Sequence, residues 1–138
     1  MAVLGLATGR TPILLYQNLI DYYEQGRISF KEIQTFNLDE YYGVPQESEI
    51  SYRHFMQNHL FDFIDIDTAN THLPGSDIGN PRLVGPAYEE QIQVAGGIDL
   101  QILGIGRNGH IGFNEPGSNL DSRFRVVDLA QSTQEDSR

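Results

Sequence analysis

Residues Ala2–Gly26, AVLGLATGRTPILLYQNLIDYYEQG, change their hydrophobic period halfway through. Ala2 to Ala7 is an almost unbroken apolar run, which reads as a buried strand. From Ile13 to Glu24, apolar side chains recur at 13, 16, 19, 20 and 23, the spacing of an amphipathic helix. Thr11 is placed to cap that helix, Pro12 suits its first turn, and Gly26 marks its stop. A strand that enters a helix through the short polar turn Thr8-Gly9-Arg10-Thr11 opens an alternation that the rest of the chain continues.

Ile33–Leu38 is predicted as a second strand, ending at Asp39-Glu40-Tyr41. Ser51–Phe63 reads as a helix with Tyr52, Phe55, Met56, Leu60 and Phe63 on one face. Ile66–His72 fits either a short strand or irregular structure, and Leu73–Gly85 reads as a loop rich in Pro and Gly. Pro86–Ala95 is predicted as a short helix stopped by Gly96-Gly97, Ile98–Leu103 as an apolar strand, and Arg125–Leu129 as a further short one. The expected fold is α/β: a Rossmann-like, mostly parallel sheet with helices on both faces. Residues 1–138 form one domain on this reading. It looks truncated at both ends, because it opens on a strand and closes on a helix start at Ser132–Arg138.

With 138 residues, 39% hydrophobic and 20% charged, the chain suits a soluble globular protein with a real core. Its net charge of −10 argues against a nucleic-acid binder, which needs a basic surface, but not against a small anionic substrate held by a few local donors. The absence of cysteine excludes disulfides and thiolate chemistry and suits a reducing compartment. No apolar run is long enough to span a bilayer and no signal peptide is evident, so no membrane partner and a cytoplasmic location are expected.

Ligands of parallel sheets bind beyond the carboxyl ends of the strands. Three polar clusters follow three predicted strands and so share one edge. Thr8–Thr11 joins a strand to a helix, where backbone N–H groups and the helix dipole favour a phosphate; taken alone, a capped turn explains it better. Asp39-Glu40 puts two carboxylates at a strand end. Extended backbone points them to opposite faces, so one lines a cleft while the other faces helices or water. Burial and a like charge would raise the carboxyl towards the range of a useful general base; by spacing alone a surface pair is the commoner explanation.

The third cluster, Gly104–Gly117 (GIGRNGHIGFNEPG), begins with a G-x-G-x-x-G spacing. A dinucleotide fingerprint requires a helix after the third glycine, and His110-Ile-Gly-Phe-Asn-Glu-Pro-Gly117 can hardly be one. The acid expected about 20 residues on has only Asp121 and Asp128 as poor candidates. His110 and Glu115 remain, in a loop whose glycines let backbone approach a ligand. A histidine oriented by a carboxylate shuttles protons near neutral pH. One His and one Glu five apart make a poor metal site, and His54, His59 and His72 look structural.

The segments LGLATGRTP, FNLDEYYGV, SYRHFMQNHLF, GGIDLQILGIGRNGHIGFNEPGS and SRFRV, in this order, resemble the glucosamine-6-phosphate deaminase (glucosamine/galactosamine-6-phosphate isomerase) family from about Val3 to Arg138. The pairing of FNLDEY with GHIGFNEP is specific; 6-phosphogluconolactonases share the fold but do not usually carry it. The resemblance implies conversion of glucosamine 6-phosphate to fructose 6-phosphate and ammonia, in amino-sugar catabolism, with no metal and no organic cofactor. It implies that Thr8, Gly9, Arg10 and Thr11 cradle the phosphate, that Asp39 is the general base, and that His110, held by Glu115, assists ring opening. Glu40 and Gly109 belong to the surrounding site.

Three features depart from that pattern. Asn108 stands where many members have Asp, leaving the imidazolium less stabilised. Ser118 and Arg125 match an effector site of allosteric members, but Val127 replaces its lysine. Arg138 falls about one residue from a phosphate-binding arginine. Family members are substantially longer, so the chain reads as the central part of a longer domain. A homo-oligomer is compatible with this reading. A sugar-phosphate-binding module without catalysis, and a lactone hydrolase on the same fold, are the alternatives.

Overall fold

Four strands, Ala2–Leu6 (β1), Ile33–Asn37 (β2), Thr71–His72 (β3) and Leu100–Gln101 (β4), form one parallel sheet in the order β3-β2-β1-β4 in a computed structural model. The structure describes residues 1–75 and 79–136. Helices Ile13–Glu24 (α1), Tyr52–His59 (α2), Pro81–Val94 (α3) and Gln131–Asp136 (α4) complete the regular elements. The chain builds β1, β2 and β3 outwards in one direction, then returns to place β4 on the other side of β1. This reversal is the switch point of a doubly wound sheet.

Alternation along β1 sends its side chains into two cores. Leu4 and Leu6 pack with Tyr16 of α1 and with Met56, Leu60, Phe61 and Leu73. Val3 packs on the opposite face with Phe36 and with Tyr88 and Ile92 of α3. Helices therefore cover both faces, as the apolar run Ala2–Ala7 predicts. Two tyrosines pin the strand ends. The Tyr16 hydroxyl accepts the Ala7 N–H at 3.2 Å and donates to the Ala7 carbonyl, while the Tyr88 hydroxyl donates to the Asn37 carbonyl at 2.7 Å and lies 3.2 Å from the His72 carbonyl.

Local structure departs from the sequence expectation at four places. The cap position of α1 falls on Pro12, not Thr11, and has no side-chain cap bond; the turn closes instead through Ile13 N–H to Arg10 O at 3.3 Å. Gly26 does end α1, at φ 71°, with the Arg27 N–H reaching back to Tyr22 O at 2.9 Å. The helix expected to reach Phe63 stops at His59, and Phe61–Phe63 is a 3-10 turn. Consecutive residues on an α-helix diverge by about 100°, so leaving the helix at Leu60 lets both Leu60 and Phe61 enter one core.

The third departure is α3, which starts at Pro81 rather than Pro86. Asn80 caps it by accepting the Arg82 N–H at 3.0 Å, and Pro81 fits the first turn. Pro86 then sits inside the helix and leaves one backbone acceptor without its helical donor. Fourthly, Arg125–Leu129 pairs with no strand among the described residues, and β4 is shorter than the apolar run Ile98–Leu103. The backbone ahead of Arg125 is held by side chains: Phe124 N–H donates to Glu89 Oε1 of α3 at 2.9 Å.

That contact depends on Gly85, buried in α3. A Cβ there would lie 1.9 Å from the Phe124 carbonyl oxygen, a rigid backbone atom. Gly85→Ala is expected to destabilise the fold by about 2–3 kcal/mol despite alanine's better helix propensity. Gly104→Ala, whose Cβ meets open space, is the control. Equal denaturation midpoints for the two variants would show that the Phe124 segment moves aside freely.

Candidate active site at the carboxyl ends of the strands

The polar segments leaving β1, β2 and β4 all emerge at the edge where the switch point lies. Leu38 extends the β1–β2 ladder by one bond, from its N–H to Leu6 O at 2.9 Å, which fixes the two residues that follow. Asp39 keeps some surface open to solvent but is densely surrounded by protein. Burial, reinforced by the charge of Glu40, raises its carboxyl to about 7.

Glu40 borders the same cavity, but its carboxylate is taken up in capping α2. Its Oε1 accepts the N–H groups of Tyr41 (2.9 Å) and Tyr52 (2.8 Å), and its Oε2 accepts that of Arg53 (3.0 Å). Ser51 adds a further cap bond, from His54 N–H at 3.1 Å. A carboxylate on the positive end of a helix is well placed, so the adjacent acids divide into one for the cleft and one for the scaffold.

Tyr52 ties these segments together. Its hydroxyl lies 3.3 Å from that of Tyr41 and hydrogen-bonds the Thr8 hydroxyl at the end of β1. Burial, with the nearby Asp39 charge, drives its phenol well above the ordinary range. The rings of Tyr41 and Tyr52 pack at 4.7 Å, and Phe113 of the β4 loop lies 5.8 and 6.0 Å from them. Gly9 turns the chain at φ 101°, leaving Arg10 and Thr11 exposed at the start of α1.

The loop after β4 is shaped by close approaches. Gly106 lies under the His110 ring: a Cβ on it would fall 2.0 Å from the imidazole Cε1. Gly106 N–H bonds His110 O at 2.8 Å, and Gly109 N–H bonds Gly106 O at 2.9 Å, so 106–110 is a closed turn. Gly112, at φ 59°, lies against the Leu38 side chain, and the site of its absent Cβ is 3.6 Å from Asp39 Oδ2. Gly106 of the apparent nucleotide fingerprint instead folds a histidine onto backbone, and Gly112, beyond that fingerprint, brings the loop against Asp39.

Glu115 does not hold His110 by direct contact; the two approach only to 4.0 Å. Asn108 stands between them. Its Nδ2 donates to Glu115 Oε2 at 2.8 Å, and its Oδ1 lies 2.7 Å from His110 Nδ1 and accepts the His110 backbone N–H at 3.1 Å. A carboxylate only accepts, so the NH₂ of Asn108 must face Glu115 and the carbonyl must face the ring. His110 Nδ1 therefore carries hydrogen, and in the neutral ring the lone pair is on Nε2. Glu115 sits below the ordinary carboxylate range because the Thr133 hydroxyl, then the Asn108 amide and the Ala130 N–H, donate to it.

A cavity of about 340 Å³ opens on the α3 side of Asp39, walled by Leu38, Gly112, Phe113, Phe124 and Arg125. His110 and the Thr8–Thr11 turn lie outside its walls. Arg138 lies outside the described residues. No group of three His, Asp or Glu converges as a metal site among the described residues. The other histidines are packed: His54 bonds Asn58 at 2.8 Å, His59 lies 4.3 Å from the Phe55 ring and His72 stacks 4.4 Å from Phe36. Sequence reasoning missed two residues. Tyr52 was hidden by the apolar periodicity of its helix, and Thr133 lies in a polar segment with no periodicity.

A doubly wound parallel sheet with polar side chains gathered at the switch point defines an α/β protein whose candidate site lies beyond its strand ends. Residues 1–134 match the family described as glucosamine-6-phosphate isomerases/6-phosphogluconolactonase, and the chain belongs to that family. It is 62% identical over 135 residues to the glucosamine-6-phosphate deaminase of Shewanella woodyi, covering 98% of this chain and 51% of that protein. It is 54% identical over 134 residues to glucosamine-6-phosphate deaminase 2 of Bacillus subtilis, covering 96% and 53%. The chain thus spans about half the length of these relatives. A solved monomeric glucosamine-6-phosphate deaminase superposes with a TM-score of 0.94 at 42% identity, covering 97% of this chain and 56% of that one. The 6-phosphogluconolactonase of Thermotoga maritima gives 0.68 at 32% identity, covering 80% and 49%.

Proposed function

We infer that the protein isomerises and deaminates glucosamine 6-phosphate, giving fructose 6-phosphate and ammonia. The observation that carries this reading is the loop from β4 lying against Asp39, with the site of the absent Gly112 Cβ 3.6 Å from Asp39 Oδ2. That loop holds a histidine whose Nδ1 faces an acceptor, and burial raises the Asp39 carboxyl. In the closed sugar, His110 Nε2 accepts the anomeric hydroxyl proton and returns a proton to the ring oxygen, opening the pyranose. Asp39, ionised, removes the proton at the amine-bearing carbon, leaving an enol-amine. Returning that proton to the former aldehyde carbon yields an iminium, which water hydrolyses to the ketose and ammonia.

The turn Thr8, Gly9, Arg10 and Thr11 binds the phosphate, supported by its exposure and its position before α1. Asn108 and Glu115 keep the histidine in register, and Gly109 shapes the loop beside it. The test is ammonia release from glucosamine 6-phosphate by the whole protein. A folded protein that releases none overturns the reading. Ligand-induced stabilisation without ammonia would indicate a binding module, and turnover of a phosphorylated lactone alone would indicate the hydrolase known in other family members.

Because Asp39 must lose its proton to act, activity is expected to rise with pH through about 7. Glu40→Gln removes the like charge that raises Asp39, so the acid limb should move to lower pH. The same change weakens the cap of α2 by about 1 kcal/mol. An unchanged acid limb would mean that the Glu40 charge does not raise the group that sets it.

A further inference from the structure

Thr133, in α4, is 2% exposed although it lies in a polar segment, QSTQED. Its Oγ1 is 3.3 Å from His110 Nδ1, and its hydroxyl hydrogen-bonds the Glu115 carboxylate. A hydroxyl has one hydrogen to give, and Glu115 can only accept, so that hydrogen points to Glu115. The oxygen facing His110 is then an acceptor, and the hydrogen between them belongs to Nδ1. Thr133 thus supports from α4 what Asn108 does within the loop. The single Nδ1 hydrogen is shared between Asn108 Oδ1 at 2.7 Å and, as the longer arm, Thr133 Oγ1 at 3.3 Å, and both residues donate to the carboxylate.

We propose that Thr133 is a positioning residue which, in parallel with Asn108, relays Glu115 to His110 and locks the imidazole as its Nδ1–H form with Nε2 free. This rests on the catalytic reading of His110 given above. Two neutral bridges from different parts of the chain fix the ring more firmly than one, since a single amide could rotate with the loop. They also make the state of the histidine depend on the seating of α4. The burial of a threonine hydroxyl there has a chemical use, because valine would fill the same space without completing the relay.

The test uses the whole protein with ¹⁵N-labelled histidine. The chain has four histidines, and the His110 signals are assigned by their loss in His110→Gln. In the parent, neutral His110 is expected to be the Nδ1–H tautomer; finding mainly Nε2–H overturns the relay without any variant. Thr133→Val is expected to let the Nε2–H tautomer appear and to lower kcat about tenfold, the worth of one hydrogen bond to a charged group, with little change in KM. Thr133→Ser keeps the hydroxyl and should restore both readings. Parent-like nitrogen shifts and kcat in Thr133→Val overturn the proposal, as does a Thr133→Ser protein that stays as impaired as Thr133→Val. The nitrogen shifts need no substrate, so a protein that releases no ammonia would sink the functional reading while leaving the relay to be judged by its tautomer.

Discussion

Asp39→Asn is expected to lower ammonia release by a factor of about 10³ or more and, above neutral pH, to make the protein more stable. The kinetic loss follows from the role of the carboxylate. An amide has no lone pair basic enough to take a carbon-bound proton, and removing a positioned general base costs roughly 10²–10⁴. The stability gain follows from burial. The folded-state carboxyl is raised from 3.8 to about 7, so between those values the folded protein holds a proton that the unfolded chain has released. Stability contributed by the neutral acid is present at low pH and is lost as pH rises from about 4 through 7. A shift of that size corresponds to a ceiling of about 4 kcal/mol. The asparagine cannot ionise, so its thermal midpoint should exceed the parent's at pH 8 and approach it near pH 4. A variant less stable than the parent at pH 8 would mean that the Asp39 carboxylate makes favourable contacts outweighing its burial.

His110→Gln is expected to lower kcat by about 10²–10³, and to change which step limits the rate. Glutamine offers an amide near the ring nitrogens but cannot exchange a proton at neutral pH. If His110 serves ring opening, the variant leaves Asp39 and its proton transfer intact, and opening becomes slow. With substrate deuterated at the amine-bearing carbon, the isotope effect on kcat should therefore fall towards unity in His110→Gln. An isotope effect at least as large as the parent's would place the lost function at carbon–hydrogen cleavage instead. Gly106→Ala should move in the same direction as His110→Gln, because the added carbon would displace the imidazole that lies against that backbone.

The strand–turn–helix opening and the residues of the three polar clusters were legible because both rest on local signals. Ala2–Ala7 and Ile13–Glu24 carry their own periods, and Asp39, His110 and Glu115 are chemically conspicuous at predicted strand ends. Element boundaries were less legible. Pro86 reads as a helix start until Asn80 and Pro81 are seen to provide a better one, and Arg125–Leu129 reads as a strand although no described strand pairs with it.

Sequence by itself determined the α/β alternation, the exclusion of a dinucleotide turn, and the likeness to a family of sugar-phosphate isomerases. Tertiary structure decided how the site is divided. It turned Glu40 from a second carboxylate into the cap of α2, inserted Asn108 between His110 and Glu115, and brought Tyr52 to Thr8 and Thr133 to the imidazole. The physical reason is that periodicity reports only which face of an element is apolar. Which donor meets which acceptor depends on segments far apart in the chain, brought together at the strand ends by the packing of both cores.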